Sequence, residues 1–274
     1  MTTQAELEAL SQSSQPVYLD QLTRHYRIWV YGEPGSGKTE LAGNIIALSD
    51  KPACLVSTDS AWITLLKNKK AAKQTVRYPY QGFSQLRAIA QAAIDGIEPY
   101  CNYGTVVWDT VSTAIDLSVA LLVQHKKFND QRDPDLASWS HYNLVATALR
   151  PTIDLLNRAP FNMIYLSHVR KPGESDIKKQ IYSIRPNTPE ACFNQISQEV
   201  QLIGWLSKEK TGGQRVLQVE GTNTVTGKSQ IFTIPEGRYA VEDIPKLIQQ
   251  WQEVSESFTV DTEIPVTDAA IKID

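Results

Sequence analysis

The chain has 274 residues, 42% of them apolar and 21% charged, with a formal net charge of −3. That length suits one large α/β core with appendages. The charge excludes a protein that coats nucleic acid by bulk attraction, so any such binding must use local patches. Three cysteines, Cys54, Cys101 and Cys192, lie far apart and lack C-x-x-C spacing. Their pattern argues against a disulfide framework or zinc site and fits a reducing, cytoplasmic setting. No targeting segment is evident, and no apolar run approaches the roughly 20 residues of a membrane span, so no membrane partner is expected.

Residues 1–25 are polar and predict an arm leading into the first strand. Strand signals then recur at Arg27–Tyr31, Ala53–Ser57, Thr75–Tyr78, Thr105–Trp108 and Phe161–Leu166, each short and rich in apolar or β-forming residues. Helical stretches at 39–48, 60–70, 83–98, 112–126 and 136–158 separate most of them. Alternation of this kind predicts an α/β fold: a mostly parallel sheet flanked by helices, with ligands gathered at the strand C-terminal ends. From Glu199 the rhythm changes to Glu199–Ser207, Gln214–Glu220 and Gln230–Ile234, with glycines between, which predicts antiparallel strands added at the C-terminal side. Ile244, Leu247, Ile248 and Trp251 mark a final helix over 241–252. The domain is therefore expected to span 26–252. Residues 253–274 carry six acidic side chains and one lysine, an expected disordered tail that is either solvated or a mimic of DNA.

Gly32-Glu33-Pro34-Gly35-Ser36-Gly37-Lys38-Thr39 fits the phosphate-loop pattern G-x-x-x-x-G-K-[ST] between a strand and a helix. Backbone N–H groups and the helix dipole attract a polyphosphate there. Lys38 is expected to reach the β and γ phosphates, and Thr39 to place its hydroxyl on Mg²⁺, so ATP and Mg²⁺ are the expected cofactors. Val106-Val107-Trp108-Asp109 is an apolar strand ending in an acid, which makes Asp109 a candidate for the metal shell or, alternatively, a helix cap. Asp59 follows another strand and is a candidate to polarise the attacking water, or again a cap. His168 follows the strand Met163–Leu166 and is a candidate γ-phosphate sensor.

The segment from Arg170 to Arg185 has a net charge of +3 and reads as a loop attached to that sensor. Arg170, Lys171, Lys178, Lys179 and Arg185 offer phosphate contacts and Tyr182 a base-stacking ring, whereas the plainer reading is a solvated lysine-rich loop. A second loop, Lys126 to Arg132, mixes charge with Phe128.

These features, in the order phosphate loop, Thr58-Asp59-Ser60, Val107-Trp108-Asp109-Thr110-Val111-Ser112 and Ser167-His168, resemble the RecA-like P-loop ATPase core. More narrowly they resemble the phage-encoded Sak-type single-strand annealing group. The resemblance spans roughly residues 20–235. It implies ATP hydrolysis, self-association into a ring or filament, a single-strand binding protein as a companion, and single-stranded DNA bound by the loop at 170–185 in the host cytoplasm. Two departures stand out. Relatives carry glutamate where Asp59 stands, and a shorter acid shifts the water-orienting oxygen enough to slow hydrolysis. They also supply a Lys-x-Arg pair to the neighbouring subunit, where this chain offers Lys228 alone. Two other functions remain open: a nucleotide-binding assembly or loader protein with little turnover, and a small-molecule kinase with Arg170 and Arg185 on its lid.

Overall fold

A computed structural model describes residues 25–124, 139–173, 184–209, 213–222, 224–231 and 233–257. In chain order the strands are β1 Arg27–Gly32, β2 Ala53–Ser57, β3 Thr75–Pro79, β4 Thr105–Asp109, β5 Asn162–Arg170, β6 Arg185–Pro186, β7 Leu202–Lys208, β8 Arg215–Gln218, β9 Lys228–Ser229 and β10 Arg238–Ala240. The helices are α1 Lys38–Ile46, α2 Lys69–Gln74, α3 Phe83–Ile94, α4 Val111–Gln124, α5 Trp139–Arg158, α6 Glu190–Glu199 and α7 Ile244–Ser257. One sheet runs in the order β10-β8-β7-β1-β5-β4-β2-β3, with β6 beside β5 and β9 beside β7. From β7 to β3 the strands are parallel, and β8 and β10 add antiparallel to the β7 edge.

The central strands are buried on both faces, as an α/β sheet requires, and their alternating side chains feed two separate cores. Trp29, Tyr31, Val56, Trp108 and Tyr165 face α3, α4, α5 and α6. Ile28, Val30, Leu55, Val107 and Leu166 face α1 and α7. Tyr26 seals the second core with its ring edge-on to Trp251, centroids 6.3 Å apart. At the end of the sheet opposite the phosphate loop, buried Arg27 donates to four carbonyls: Tyr26 O at 3.1 Å, Phe161 O at 2.6 Å, Asn157 O at 2.9 Å and Ala159 O at 3.0 Å. It thereby fixes the α5–β5 turn to β1.

The sequence-based elements need five corrections. The stretch at 60–70 divides into a 3₁₀ helix, Ala61–Lys67, and α2, because Asn68 leaves helical geometry and caps α2 by accepting from Ala71 N at 3.2 Å. Glu199 ends a helix, α6, and the strand that follows pairs parallel to β1. β5 continues to Arg170, past the expected end at Leu166, because β6 pairs with its extension. The strand there, β9, is Lys228–Ser229, just before the expected Gln230–Ile234, whose apolar residues Ile231 and Ile234 are buried in the second core instead. Helix α7 extends to Ser257, beyond the expected boundary at 252. Residues 1–24 and 258–274, and with them most of the expected arm and tail, lie outside the described residues, as does the loop at Lys126–Arg132.

Removing the Arg27 guanidinium strips buried carbonyls of a charged donor. Arg27→Leu is expected to lower the unfolding free energy by about 3 kcal/mol in a urea titration, on that scale. A loss under about 1 kcal/mol would mean that water satisfies those carbonyls in its place.

Candidate nucleotide site

The strands β1, β2, β4 and β5 end together at one edge of the sheet, and the expected residues follow from those ends. Gly32 closes β1. A Cβ there would collide with the Leu206 carbonyl oxygen and stand 2.8 Å from Ser36 Oγ, so the loop can leave the strand only at a glycine. Gly35 and Gly37 take φ of +76° and +101°, a backbone region other residues rarely adopt. Gly37 then precedes α1, whose first residues are Lys38 and Thr39. Lys38 Nζ donates to the carbonyls of Gly32 and Glu33, both at 3.0 Å, so its ammonium lies folded across the loop. Burial lowers its pKa, partly offset by Asp109, Asp59 and Glu33.

β5 lies between β1 and β4. Asp109 nevertheless reaches across to α1, where Thr39 Oγ1 donates to Asp109 Oδ2 at 2.7 Å. Burial pushes the Asp109 carboxyl up to about 6, with Asp59 adding to the shift and the Thr39 hydroxyl and Lys38 opposing it. The turn after β4 is stitched to that after β2: Thr58 N donates to Asp109 O at 2.7 Å, and Thr110 N to Thr58 Oγ1 at 3.1 Å. The Asp109–Thr110 peptide bond is cis.

Asp59 caps the 3₁₀ helix, its Oδ1 accepting from Ala61 N at 2.7 Å, and also lines the cavity beside the loop. His168 sits within β5, opposite Gly32, and lines the same cavity. Its backbone N–H donates to Ser112 Oγ at 3.1 Å, and its Nδ1 is buried without a hydrogen-bond partner among the described residues. Burial, then Lys38, lowers its pKa, which keeps the imidazole neutral at pH 7. Lys38, Thr39, Asp59, Asp109 and His168 thus converge on a cavity of about 270 Å³. A second cavity, of about 860 Å³, shares Pro34 and Gly35 with the first and opens toward β7, where Ile184, Trp205, Lys208 and Arg238 line it. The Trp205 Nε1 is buried there without a partner among the described residues.

The donor set fits Mg²⁺. A hydroxyl and one carboxylate oxygen 2.7 Å apart are hard ligands, and they stand at the N-terminus of a phosphate-loop helix. Among the described residues no cluster of three or more His, Cys, Asp or Glu side chains could hold a metal. A magnesium ion here would complete its shell with phosphate oxygens and water, the usual arrangement for this ion.

The basic segment is rooted at this edge. Arg170 and Arg185 pair across β5 and β6, and Lys171 Nζ meets Glu33 Oε1 of the phosphate loop at 2.5 Å. Tyr31 Oη donates to Ile184 O at 3.1 Å and to Thr226 O at 2.6 Å, fixing the returning strand beside β1. Lys178, Lys179 and Tyr182 lie outside the described residues. Lys228 is not brought to the phosphate loop of its own chain: it sits on β9 opposite Ile203, and its Nζ donates to Ser197 O at 3.0 Å. Sequence reasoning missed Arg215 and Trp205, neither of which belongs to a recognisable motif, and gave Thr58 no role of its own beside Asp59.

The sequence matches the AAA domain family over residues 24–231, most of its length. The chain belongs to the AAA domain family. It therefore carries a P-loop ATPase domain, and the match covers every strand from β1 through β9. No curated protein matches the sequence. Among solved structures, the AAA domain is similar to the flagellar accessory protein FlaH from Methanocaldococcus jannaschii, with 13% identity, 75% of this chain and 82% of that chain covered, and a TM-score of 0.39. No helix among the described residues is long and apolar enough to cross a membrane.

Asp109 makes its own contribution to the pH dependence of stability. Its folded pKa of about 6 lies above the ordinary carboxylate value of about 3.9. Between those values the folded state holds a proton the unfolded chain has released, so this group's contribution to stability falls as pH rises through the window and stays low above it. Asp109→Asn should gain on the wild type by on the order of 2 kcal/mol in urea titrations as pH goes from 4 to 7 without metal. A constant difference across that range would mean the carboxyl ionises normally.

Proposed function

We propose that the protein binds and hydrolyses ATP with Mg²⁺ and acts on single-stranded DNA, in phage-type recombination or single-strand annealing. The observation that carries the DNA half is the rooting of the basic segment: Lys171 touches Glu33 of the phosphate loop, and the segment departs from the same strand as His168. A ligand that pulls on the loop therefore pulls on the base of the segment. In this reading Lys38 and the loop amides hold the phosphates, Thr39 and Asp109 the metal, and His168 meets the terminal phosphate. Asp59 orients the attacking water. The nucleoside extends toward the larger cavity at Trp205. Arg170, Lys171, Lys178, Lys179 and Arg185 supply phosphate contacts on DNA, and Tyr182 a stacking surface. Self-association into a ring or filament belongs to the same reading, and a trans contact by Lys228 would require it to leave the Ser197 carbonyl.

One observation favours a second reading, a loader or assembly protein with little turnover. The Asp59 carboxylate is already engaged with Ala61 N. A base tied to a cap is a weaker water-orienting group.

Steady-state ATP hydrolysis with and without single-stranded DNA, with Lys38→Ala as blank, separates the two. The recombination reading predicts turnover that DNA stimulates several-fold and that loses the stimulation as salt rises, since phosphate contacts release counterions. Nucleotide binding with no turnover in either condition would favour the loader, and DNA that neither binds nor stimulates would overturn the DNA assignment.

A further inference from the structure

The phosphate cavity holds a cation that the loop motif does not supply. Arg215 opens β8 opposite Lys208 of β7, and its guanidinium reaches the start of α1. A Cβ on Gly37 would stand 2.7 Å from Arg215 Nη1 and 3.1 Å from Cζ, so the planar fork lies directly over the turn into the helix. Nη1 meets Glu40 Oε2 at 3.0 Å, and the same carboxylate oxygen meets Lys67 Nζ at 3.4 Å. All three side chains line the cavity with Lys38, Asp59, Asp109 and His168. Two cations thus share one glutamate at the mouth of a site whose helix N-terminus already favours a polyanion.

The loop amides around Gly37 cradle the phosphates common to di- and triphosphates. A guanidinium over that glycine approaches the same oxygens from the β8 side, and its fork matches two of them in a way an ammonium cannot. The geometry points to Arg215 as a second clamp on the α and β phosphates, supplied by the same chain, with Glu40 as the counter-ion it exchanges for nucleotide. This assignment rests on the nucleotide reading above. It differs from the sequence expectation in placing the additional cation in cis, from the β7–β8 hairpin, rather than in trans from Lys228.

A purely structural brace between β8 and α1 would show the same ion pair, and a pair of substitutions separates the two. If Arg215 clamps phosphate, Arg215→Ala weakens ADP and ATP alike by about tenfold or more, the scale of a lost charge-assisted hydrogen bond. Glu40→Gln then tightens both by about threefold, the scale of a half-exposed charge interaction, because the competing carboxylate is gone. A brace would instead lower the thermal midpoint in both variants without moving the affinities in opposite directions. The measurement is equilibrium titration of the full chain with ADP and with ATP, alongside thermal unfolding without nucleotide. Opposite shifts, equal for the two nucleotides, support the clamp. Unchanged affinity in Arg215→Ala, or a loss confined to ATP, overturns it. Should Arg215→Ala fail to fold, Arg215→Lys and Glu40→Gln carry the test, and the absence of tightening in Glu40→Gln overturns the clamp. Wild-type protein that binds neither nucleotide would sink the reading of the site itself; wild-type binding that persists unchanged in Arg215→Ala would remove Arg215 alone.

Discussion

The site depends on one contact, the Thr39 hydroxyl donating to the buried Asp109 carboxylate across the width of β5. Thr39 belongs to the helix after β1 and Asp109 to the end of β4, two strands away. The contact can form only if β5 inserts between them in a register that brings the ends of β1 and β4 close together along it. That register is observed: Gly32 pairs with His168, and Asp109 with Leu166. Slipping a strand by one residue would send its side chains to the opposite face and separate the pair.

Burial makes this contact chemically useful. A carboxylate out of water is held uncomfortably, so its pKa rises and a cation is welcome there. Lys38 lies nearby with its own pKa lowered by burial. Each group would be relieved by a partner that brings the opposite charge, which in the proposed reading is a metal for Asp109 and a phosphate for Lys38. Glu40 has a different condition. Burial alone would raise its pKa, but Arg215 and Lys67 more than offset that and hold it below the ordinary value. The rim of the cavity is thus balanced by ion pairs while its floor is not.

Much of the fold was legible because the central strands are apolar on both faces and separated by helical stretches. Val106-Val107-Trp108-Asp109 announced both its burial and its terminal acid. The C-terminal part was harder. Leu202–Lys208 precedes the glycines Gly212-Gly213 that suggested a hairpin, yet the strand joins the parallel sheet beside β1, with α6 providing the crossover. Nothing in the local pattern around Gln230–Ile234 told a strand from an irregular segment whose two isoleucines are buried. Within the site, the phosphate loop was legible because backbone geometry demands glycine at fixed positions. Asp109 was legible because an acid after an apolar run is rare without a use. Arg215 was not, since a lone arginine at the start of a short strand looks like any solvated cation until the β7–β8 pairing brings it over Gly37.

The most direct test of the account is the effect of Mg²⁺ on ADP affinity, measured by calorimetric titration of the wild type and of Asp109→Ala. If Thr39 and Asp109 hold the metal that bridges protein and phosphate, Mg²⁺ will tighten ADP about tenfold or more in the wild type and leave the variant nearly unaffected, on the scale of one charged contact. Equal tightening in both proteins would contradict it, placing the metal away from Asp109 and reducing the Thr39 contact to a structural hydrogen bond.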